Sequence, residues 1–264
     1  MSIPGFETIT IAPAANLVTV VTLNRPQVLN ALNTQMGLDL IEAFTSLAAS
    51  RDTRCVILTG TGERAFCSGG DLKQRRGMTD DQWHAQHEVF ERAFLAMLNC
   101  PLPIIAAVNG FAYGGGLEIA LCCDFIYATK GARFALTEVS LGIMPGGGGT
   151  QNLPRAVGER RAKELILSAS PFSADEALEW GLANRLFESA DLMAGAFATA
   201  EKIARNAPLS VRQAKKAIHR GLQTDLAQGM LFEIEAYNLL VPTADRREGI
   251  DAFNEKRPPR YTGS

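Results

Sequence analysis

Two glutamates and two glycine-rich turns carry the residue types most suited to chemistry in this sequence. The first turn is at residues 114–116, where three glycines follow an apolar run typical of a buried strand and precede a helical pattern containing Glu118. Glycines at the start of a helix leave backbone N–H groups bare and let a ligand approach the main chain closely. Together with the positive end of the helix dipole, these N–H groups can hold an oxygen that gains negative charge. Glu118 lies one turn further on, where an acid or base would be useful.

The second turn, residues 68–71, reads serine, glycine, glycine and aspartate, and it precedes a short helical pattern. N–H groups near Gly70 and near Gly115 would together supply two donors, which is what an oxyanion hole requires. Glu138 ends a short extended segment and lies too far along the chain from Glu118 to share its helix. A return strand between them could bring the two carboxyl groups across a cleft, where they could hold one water as acid and base.

Each of these features also has a simpler interpretation. The glycines could serve tight packing alone, and Glu118 could be a solvated helix residue.

Residues 60–65 fit the dinucleotide-binding spacing G-x-G-x-x-A, but the segment that follows is too glycine-rich for the helix which that motif needs. The basic cluster at 73–76 is either a solvated helix face or a contact for a ligand phosphate. His84 and His87 could share one side of a helix, but no third ligand has suitable spacing, so we expect no metal site.

Composition indicates a soluble globular protein with a sizeable core. The chain has 264 residues, of which 47% are hydrophobic and 20% are charged. The net charge of −2 and the pI of about 6.0 give no global attraction to nucleic acid or to an anionic membrane. The five cysteines fit no zinc or disulfide framework and indicate reduced core thiols. No signal peptide is evident and no apolar stretch is long enough to span a bilayer, so we expect a cytoplasmic protein.

The first two thirds of the chain alternate between strand and helix patterns, which predicts a mixed α/β fold. Apolar, β-branched runs at 6–11 and 17–23 predict a hairpin. Thr34 is the predicted cap of a helix that continues to about residue 49, and Thr79 is the predicted cap of a helix that continues to about residue 99.

The last third of the chain is mainly helical. Periodic apolar residues predict helices from residue 158 onward, with one short strand near 185–187. These helices are too many for one small core, which suggests a cap or an oligomerisation region. We therefore expect residues 1–200 to form the core and residues 201–264 to form a helical region through which copies of the chain associate.

The chain resembles the enoyl-CoA hydratase/isomerase (crotonase) superfamily over essentially its whole length. The resemblance rests on motifs that are weak one by one but specific in their order and spacing. They are Leu-Asn-Arg-Pro at 23–26, Asn-Ala-Leu at 30–32, the segments 65–73 and 109–124, Leu-Gly-Ile at 141–143, Gly-Gly-Thr-Gln at 148–151, and the segments 245–249 and 252–257. The C-terminal portion is most similar to the methylglutaconyl-CoA hydratase branch.

The resemblance implies a crotonase spiral of ββα turns whose helical C-terminal region forms trimers, commonly as a hexamer of two trimers. It also implies a coenzyme A thioester as the substrate, with no separate cofactor and no metal. The family's oxyanion hole corresponds to the backbone N–H groups of Gly70 and Gly115. The two hydratase glutamates correspond to Glu118 and Glu138. In the family's mechanism Glu118 would assist the attack of water at C3, and Glu138 would deliver a proton to C2.

The resemblance further assigns residues along the path of coenzyme A. The assigned residues are Arg25, Val28, Ala31, Ala65, Ser68, Asp71, Leu72, Lys73, Phe253 and Lys256. The first three would lie near the nucleotide, and residues 71–73 would lie along the pantetheine and the phosphates. Phe253 and Lys256 match a C-terminal pair that often reaches coenzyme A on a neighbouring subunit.

Retention of both glutamates favours hydration, because isomerases of the family generally keep only the glutamate that corresponds to Glu138. Gly70 replaces an alanine that is common at this position, and Leu117 stands where many hydratases have cysteine or phenylalanine. One protein of the methylglutaconyl branch binds RNA through a lysine-rich helix, but the corresponding segment 73–99 is not basic enough for that role. A catalytically silent scaffold is hard to reconcile with two intact glutamates and both glycine turns.

The acyl group of the substrate is left open by the sequence. Met78, Trp83, Phe90 and Phe94 either line its pocket or belong to the core side of a helix. A substrate with a free carboxylate would need a cation in the pocket, and no single arginine or lysine stands out as that partner.

Overall fold

A computed structural model describes residues 5–264, and the expectation of no targeting segment falls partly on residues 1–4, outside the described residues. Ten strands form in the described part of the chain. They are β1 Ile9–Pro13, β2 Val18–Leu23, β3 Cys55–Gly60, β4 Ala65–Cys67, β5 Ile104–Val108, β6 Phe111–Tyr113, β7 Phe125–Thr129, β8 Arg133–Ala135, β9 Phe172–Ser173 and β10 Arg185–Phe187.

Eleven α-helices form in the same residues, together with three short 3-10 helices. They are α1 Thr34–Ala49, α2 Leu72–Arg75, α3 Asp80–Leu98, α4 Gly115–Leu121, α5 Gly149–Val157, α6 Glu159–Ser168, α7 Ala174–Glu179, α8 Leu192–Ala204, α9 Pro208–Gly221, α10 Leu226–Asn238 and α11 Ala244–Asn254. The helices that follow residue 158 confirm the mainly helical C-terminal third.

The larger sheet has six strands in the order β1-β2-β3-β5-β7-β10. β1 and β2 form the predicted antiparallel hairpin, and all other neighbouring strands of this sheet are parallel. β3 and β5 are buried along their whole length. Burial on both faces explains why these two strands are continuous apolar runs in the sequence.

The smaller sheet has four strands in the order β4-β6-β8-β9, and only its β8–β9 pair is antiparallel. Three successive strands of the larger sheet are each followed within a few residues by a strand of the smaller one: β3 by β4, β5 by β6 and β7 by β8. Helices then carry the chain onward, so that it winds as a spiral of ββα turns. This topology confirms the predicted crotonase-like α/β fold.

Neighbouring turns of the spiral approach so closely that only glycine fits at two contacts. A Cβ at Gly116 would lie 2.1 Å from the carbonyl oxygen of Cys67, at the end of β4. A Cβ at Gly69, whose φ is +97°, would lie 2.8 Å from the carbonyl oxygen of Tyr113, at the end of β6. These contacts hold the first turn of α4 directly against the residues that follow β4.

The C-terminal helices attach to the core in two ways. α8 packs on the larger sheet through small and apolar side chains: Leu192, Ala196, Ala200 and Ala204. α9 and α10 pack against each other and leave large apolar side chains exposed, among them Ile218, Leu222, Leu226, Met230 and Tyr237. Exposed apolar surface of this extent is typical of an association surface. The oligomeric state stays a prediction, as does the domain boundary after residue 200, a position that lies within α8.

Several local expectations can be compared with the structure. Thr79 caps α3 through a capping box with Gln82, as predicted. The predicted cap of α1 is wrong: Asn33, not Thr34, accepts the N–H of Met36, because Asn33 has the extended backbone that an N-cap requires.

The five cysteines form no disulfide, and four of them are buried. Among residues 5–264, no helix is both long and apolar enough to cross a bilayer.

Candidate active site

Glu118 is held in place by the glycine-rich loop that precedes α5. The side chain lies in the first turns of α4 and is 4% exposed. Its Oε1 accepts the N–H of Gly147 at 2.7 Å and the N–H of Gly149 at 2.9 Å. The pKa of Glu118 is raised overall, because burial outweighs these two hydrogen bonds and the charge of Arg75, all of which lower it. The hydrogen bonds favour the ionised form, which a general base needs.

Glu138 is in a different environment. It begins a 3-10 helix after β8 and is 8% exposed, and its Oε2 is buried without a hydrogen-bond partner in the described chain. Burial raises the pKa of Glu138 to about 7, with a further contribution from the charge of Glu118. The N–H of Glu138 itself and Arg75 act in the opposite direction. A carboxyl group of this kind can hold a proton near neutral pH and donate it.

The two predicted donor sites lie next to each other. A Cβ at Gly115 would be 3.9 Å from the backbone nitrogen of Gly70. Leu32 aligns the Gly70 turn, because its N–H donates to the carbonyl of Gly69 and its carbonyl accepts the N–H of Asp71. Within residues 5–264, neither the N–H of Gly70 nor that of Gly115 has a backbone acceptor. Both donors are therefore available to an oxygen atom placed between them.

One cavity of about 490 Å³ contains all four of these predicted residues. Gly70 and Gly115 lie in its wall together with Glu118 and Glu138. The rest of the wall is mainly apolar and aromatic and includes Leu32, Trp83, Phe90, Phe94, Leu141, Ile143 and Met144. Of the four candidate pocket residues between 74 and 99, Met78 is the one that does not line this cavity.

Arg75 also lines the cavity, and the sequence did not single it out. Its guanidinium carbon lies 4.3 Å from the centroid of the Trp83 ring and 5.5 Å from that of Phe90. Lys73, Gln74 and Arg76 of the cluster 73–76 are exposed, as a solvated helix face would be, whereas Arg75 is half-buried. Contact of this cluster with a ligand phosphate stays a prediction. No local signal in the sequence distinguishes Arg75 from these neighbours, because its place in the cavity wall depends on tertiary contacts.

The residues assigned to the coenzyme A path are in varied positions. Ser68 and Leu72 line the cavity. Arg25 forms an ion pair with Asp71 at 3.0 Å, and its Nη1 donates to the carbonyl of Ala31 at 2.6 Å. These contacts tie the segment before α1 to the start of α2.

The remaining assigned residues lie outside the cavity wall. Ala65 is buried in β4, and Val28 is half-buried beside the Ser68 hydroxyl group, which donates to its carbonyl. Phe253 is 83% exposed near the end of α11, and Lys256 is exposed just beyond it. All these assignments to coenzyme A stay predictions.

The two histidines considered for a metal site do not form one. His87 lines the cavity and faces Glu91 at 3.6 Å, whereas His84 is exposed on the same helix. The described residues contain no group of three or more side chains that could ligate a metal ion.

Comparison with known proteins finds relatives that match this chain over almost its whole length. A family model described as enoyl-CoA hydratase/isomerase matches residues 14–264. YngF of Bacillus subtilis is 47% identical to this chain, and the match covers 92% of this chain and 94% of YngF. The short-chain-enoyl-CoA hydratase of Clostridium acetobutylicum is 42% identical over 91% of this chain and 92% of the relative.

A solved structure has the same architecture. The crystal structure of an enoyl-CoA hydratase from Bacillus anthracis superposes with a TM-score of 0.96 at 43% identity, and the match covers 98% of this chain and 100% of that one. The fold is that of the crotonase class of enzymes. Within that class, the chain belongs to the enoyl-CoA hydratase/isomerase family.

Proposed function

We propose that this enzyme is a hydratase that adds water reversibly to the 2,3 double bond of a 2-enoyl-CoA thioester. The observation that carries the proposal is the pair of buried carboxyl groups in contrasting environments beside two bare N–H groups in one cavity. One group accepts two backbone hydrogen bonds and the other has an orphaned oxygen atom. The pair therefore consists of a base and an acid.

In the proposed reaction, water lies between the two carboxyl groups. Glu118 accepts a proton from the water as its oxygen attacks C3 of the substrate. Because Oε1 of Glu118 is occupied by the N–H groups of Gly147 and Gly149, Oε2 is the atom assigned to the water. The loop thus orients the carboxyl group of Glu118 and also favours its ionised form. After the addition, the proton on Glu118 is lost to solvent and Glu138 takes up a proton from solvent, which restores both groups.

Attack at C3 moves negative charge onto the thioester oxygen. The N–H groups of Gly70 and Gly115 are the proposed donors to this oxygen, and they need no reorganisation as the charge develops. Glu138 then gives its proton to C2, which completes a C–O bond at C3 and a C–H bond at C2. Both carboxyl groups lie in one cavity, so we propose that the two additions occur on the same face of the double bond.

The coenzyme A portion belongs to the substrate, and the proposal includes no additional cofactor. The path assigned to it runs from the cavity past Ser68 and Leu72 toward Arg25. We further propose that the exposed apolar surface of α9 and α10 joins copies into a trimer or a hexamer. Such an assembly would place Phe253 and Lys256 against a neighbouring copy.

The pH dependence of hydration tests the proposed roles. Glu138 must be protonated in the free enzyme, and its pKa is about 7. We therefore expect kcat/KM to fall about tenfold per pH unit on the alkaline side of that value. Glu118 must be ionised, so kcat/KM is also expected to fall as the pH drops through the pKa of Glu118. The readout is the loss of the conjugated enoyl-thioester absorbance with crotonyl-CoA.

The matched control is Glu88→Gln, which removes an exposed carboxyl group on α3 and should keep the wild-type profile. Circular dichroism at each pH separates loss of activity from loss of fold. A rate that stays constant from neutral to mildly alkaline pH would contradict the role of Glu138 as the acid.

A further inference from the structure

The cavity contains a cation that the proposed reaction does not use. Arg75 is half-buried and lies beside the Gly70 donor site, since a Cβ at Gly70 would be 3.5 Å from its guanidinium carbon. The same Cβ would be 3.6 Å from Nη1 and 3.8 Å from Nη2. The guanidinium group therefore lies in the cavity wall next to the Gly70 donor site, stacked against Trp83 and Phe90.

A buried hydrogen-bond network fixes the orientation of this guanidinium. Nε of Arg75 donates to Oε1 of Gln86 at 2.8 Å. Gln86 is 3% exposed, and its amide nitrogen donates at 2.8 Å both to the Thr34 hydroxyl group and to Oε1 of Gln74. Gln86 thus holds Arg75 at its inner nitrogen and is itself fixed by Thr34 of α1 and Gln74 of α2.

The two outer nitrogens of Arg75 are left without a partner. In residues 5–264, neither Nη1 nor Nη2 donates to any acceptor, and no carboxylate oxygen lies within 4.0 Å of the group. Glu118 and Glu138 act on Arg75 only through their charge at longer range. Taking a cation out of water without a hydrogen-bonded anion is costly. A planar fork with both outer nitrogens free matches the two oxygens of a carboxylate.

We propose that Arg75 selects 2-enoyl-CoA thioesters whose acyl group carries a second carboxylate, which Nη1 and Nη2 bind. The inference rests on the proposed function, because it assigns the acyl group of that same substrate. The apolar wall formed by Phe94, Leu141 and Ile143 accommodates the carbon skeleton between the double bond and the carboxylate. The cavity volume of about 490 Å³ is sufficient for a short acyl group of this kind.

The test compares two substrates that differ only in this carboxylate. Glutaconyl-CoA is crotonyl-CoA with a carboxyl group on C4, and kcat/KM is measured for both. We expect wild type to prefer glutaconyl-CoA and Arg75→Met to lower the ratio of the two kcat/KM values by about 10- to 100-fold. Arg75→Lys should recover part of the ratio, because it restores the charge without the fork. Arg76→Met, which removes a neighbouring exposed arginine, should keep the wild-type ratio.

Equal effects of Arg75→Met on the two substrates would overturn the proposal. If Arg75→Met lowers kcat equally for both substrates, Arg75 stabilises the reacting thioester; if it raises KM equally, Arg75 contacts coenzyme A itself. Binding of the saturated analogues glutaryl-CoA and butyryl-CoA, measured by calorimetry, separates this inference from the proposed function. Tighter binding of glutaryl-CoA that Arg75→Met abolishes supports the role of Arg75 even without turnover. Equal binding of both analogues by wild type contradicts it.

Discussion

Glu118→Gln is expected to lower kcat for hydration of a 2-enoyl-CoA by about 100- to 10,000-fold, because an amide cannot accept the proton that water loses. The substitution leaves the geometry of the site intact. The amide oxygen can still accept the N–H groups of Gly147 and Gly149, which hold Oε1 in the wild type. KM should change little, since the loss falls on the transition state rather than on substrate binding.

Two controls accompany this substitution. Glu88→Gln makes the same chemical change at an exposed position and should retain wild-type kcat. Thermal unfolding should show no loss of stability in Glu118→Gln, because a buried charge has been replaced by a neutral amide whose oxygen still accepts the same two N–H groups. Wild-type turnover in this variant would rule out Glu118 as the base. Continued conversion of a 3-enoyl-CoA to its 2-enoyl isomer would then assign the enzyme to the isomerases.

Glu138→Gln is expected to reduce kcat by a similar factor, again about 100- to 10,000-fold, for the opposite reason. Glutamine has nearly the shape of the protonated glutamate but has no acidic proton to deliver to C2. The carboxyl group that it replaces has a pKa of about 7 and an orphaned Oε2, so the neutral form is the one that the cavity stabilises. The variant is therefore expected to fold normally and to bind substrate while failing to protonate C2.

The measurement for Glu138 has two parts. The first is kcat from the loss of enoyl-thioester absorbance, and the second is exchange of the C2 hydrogen of the hydroxyacyl product with deuterated solvent. Both should fall together in Glu138→Gln. Exchange at the wild-type rate would show that another group handles the C2 proton, and the role assigned to Glu138 would have to be withdrawn.

The sequence predicts those parts of the fold that depend on local pattern. Apolar runs identify β3 and β5, and the capping pattern at Thr79 identifies the start of α3. The short strands β4 and β6 were not predicted. Each has three residues and pairs only with segments distant in the chain, so no local periodicity marks it.

In the candidate site, as in the fold, local sequence patterns predict some features, whereas others depend on contacts that form only on folding. Glycine turns and carboxylates are visible in the sequence, and the resemblance to a known family relates Gly70 and Gly115 to Glu118 and Glu138. The hydrogen-bonding groups that hold these residues in place cannot be predicted from the sequence, because they depend on which way side chains and N–H groups point after folding. Gly147 and Gly149 lie in a glycine-rich stretch of the sequence that singles out neither of them, yet their N–H groups hold Glu118.

Arg75 illustrates this limit most clearly. In the sequence it is one of three cations within four residues, all equally suited to a solvated surface. In the structure it alone among them lines the cavity, because the short helix α2 turns it toward Trp83 and Phe90. A tertiary contact, rather than a local preference, makes it a candidate for recognising the substrate.

The most direct test of hydration as the activity of this enzyme follows the atoms of water into the product. The enzyme is incubated with crotonyl-CoA and with glutaconyl-CoA in water labelled with heavy oxygen and deuterium, and the products are analysed by mass spectrometry and NMR. The proposed hydration predicts a 3-hydroxyacyl-CoA that carries one labelled oxygen at C3 and one deuterium at C2, added to the same face. A product that is isomerised and contains no labelled oxygen would contradict it.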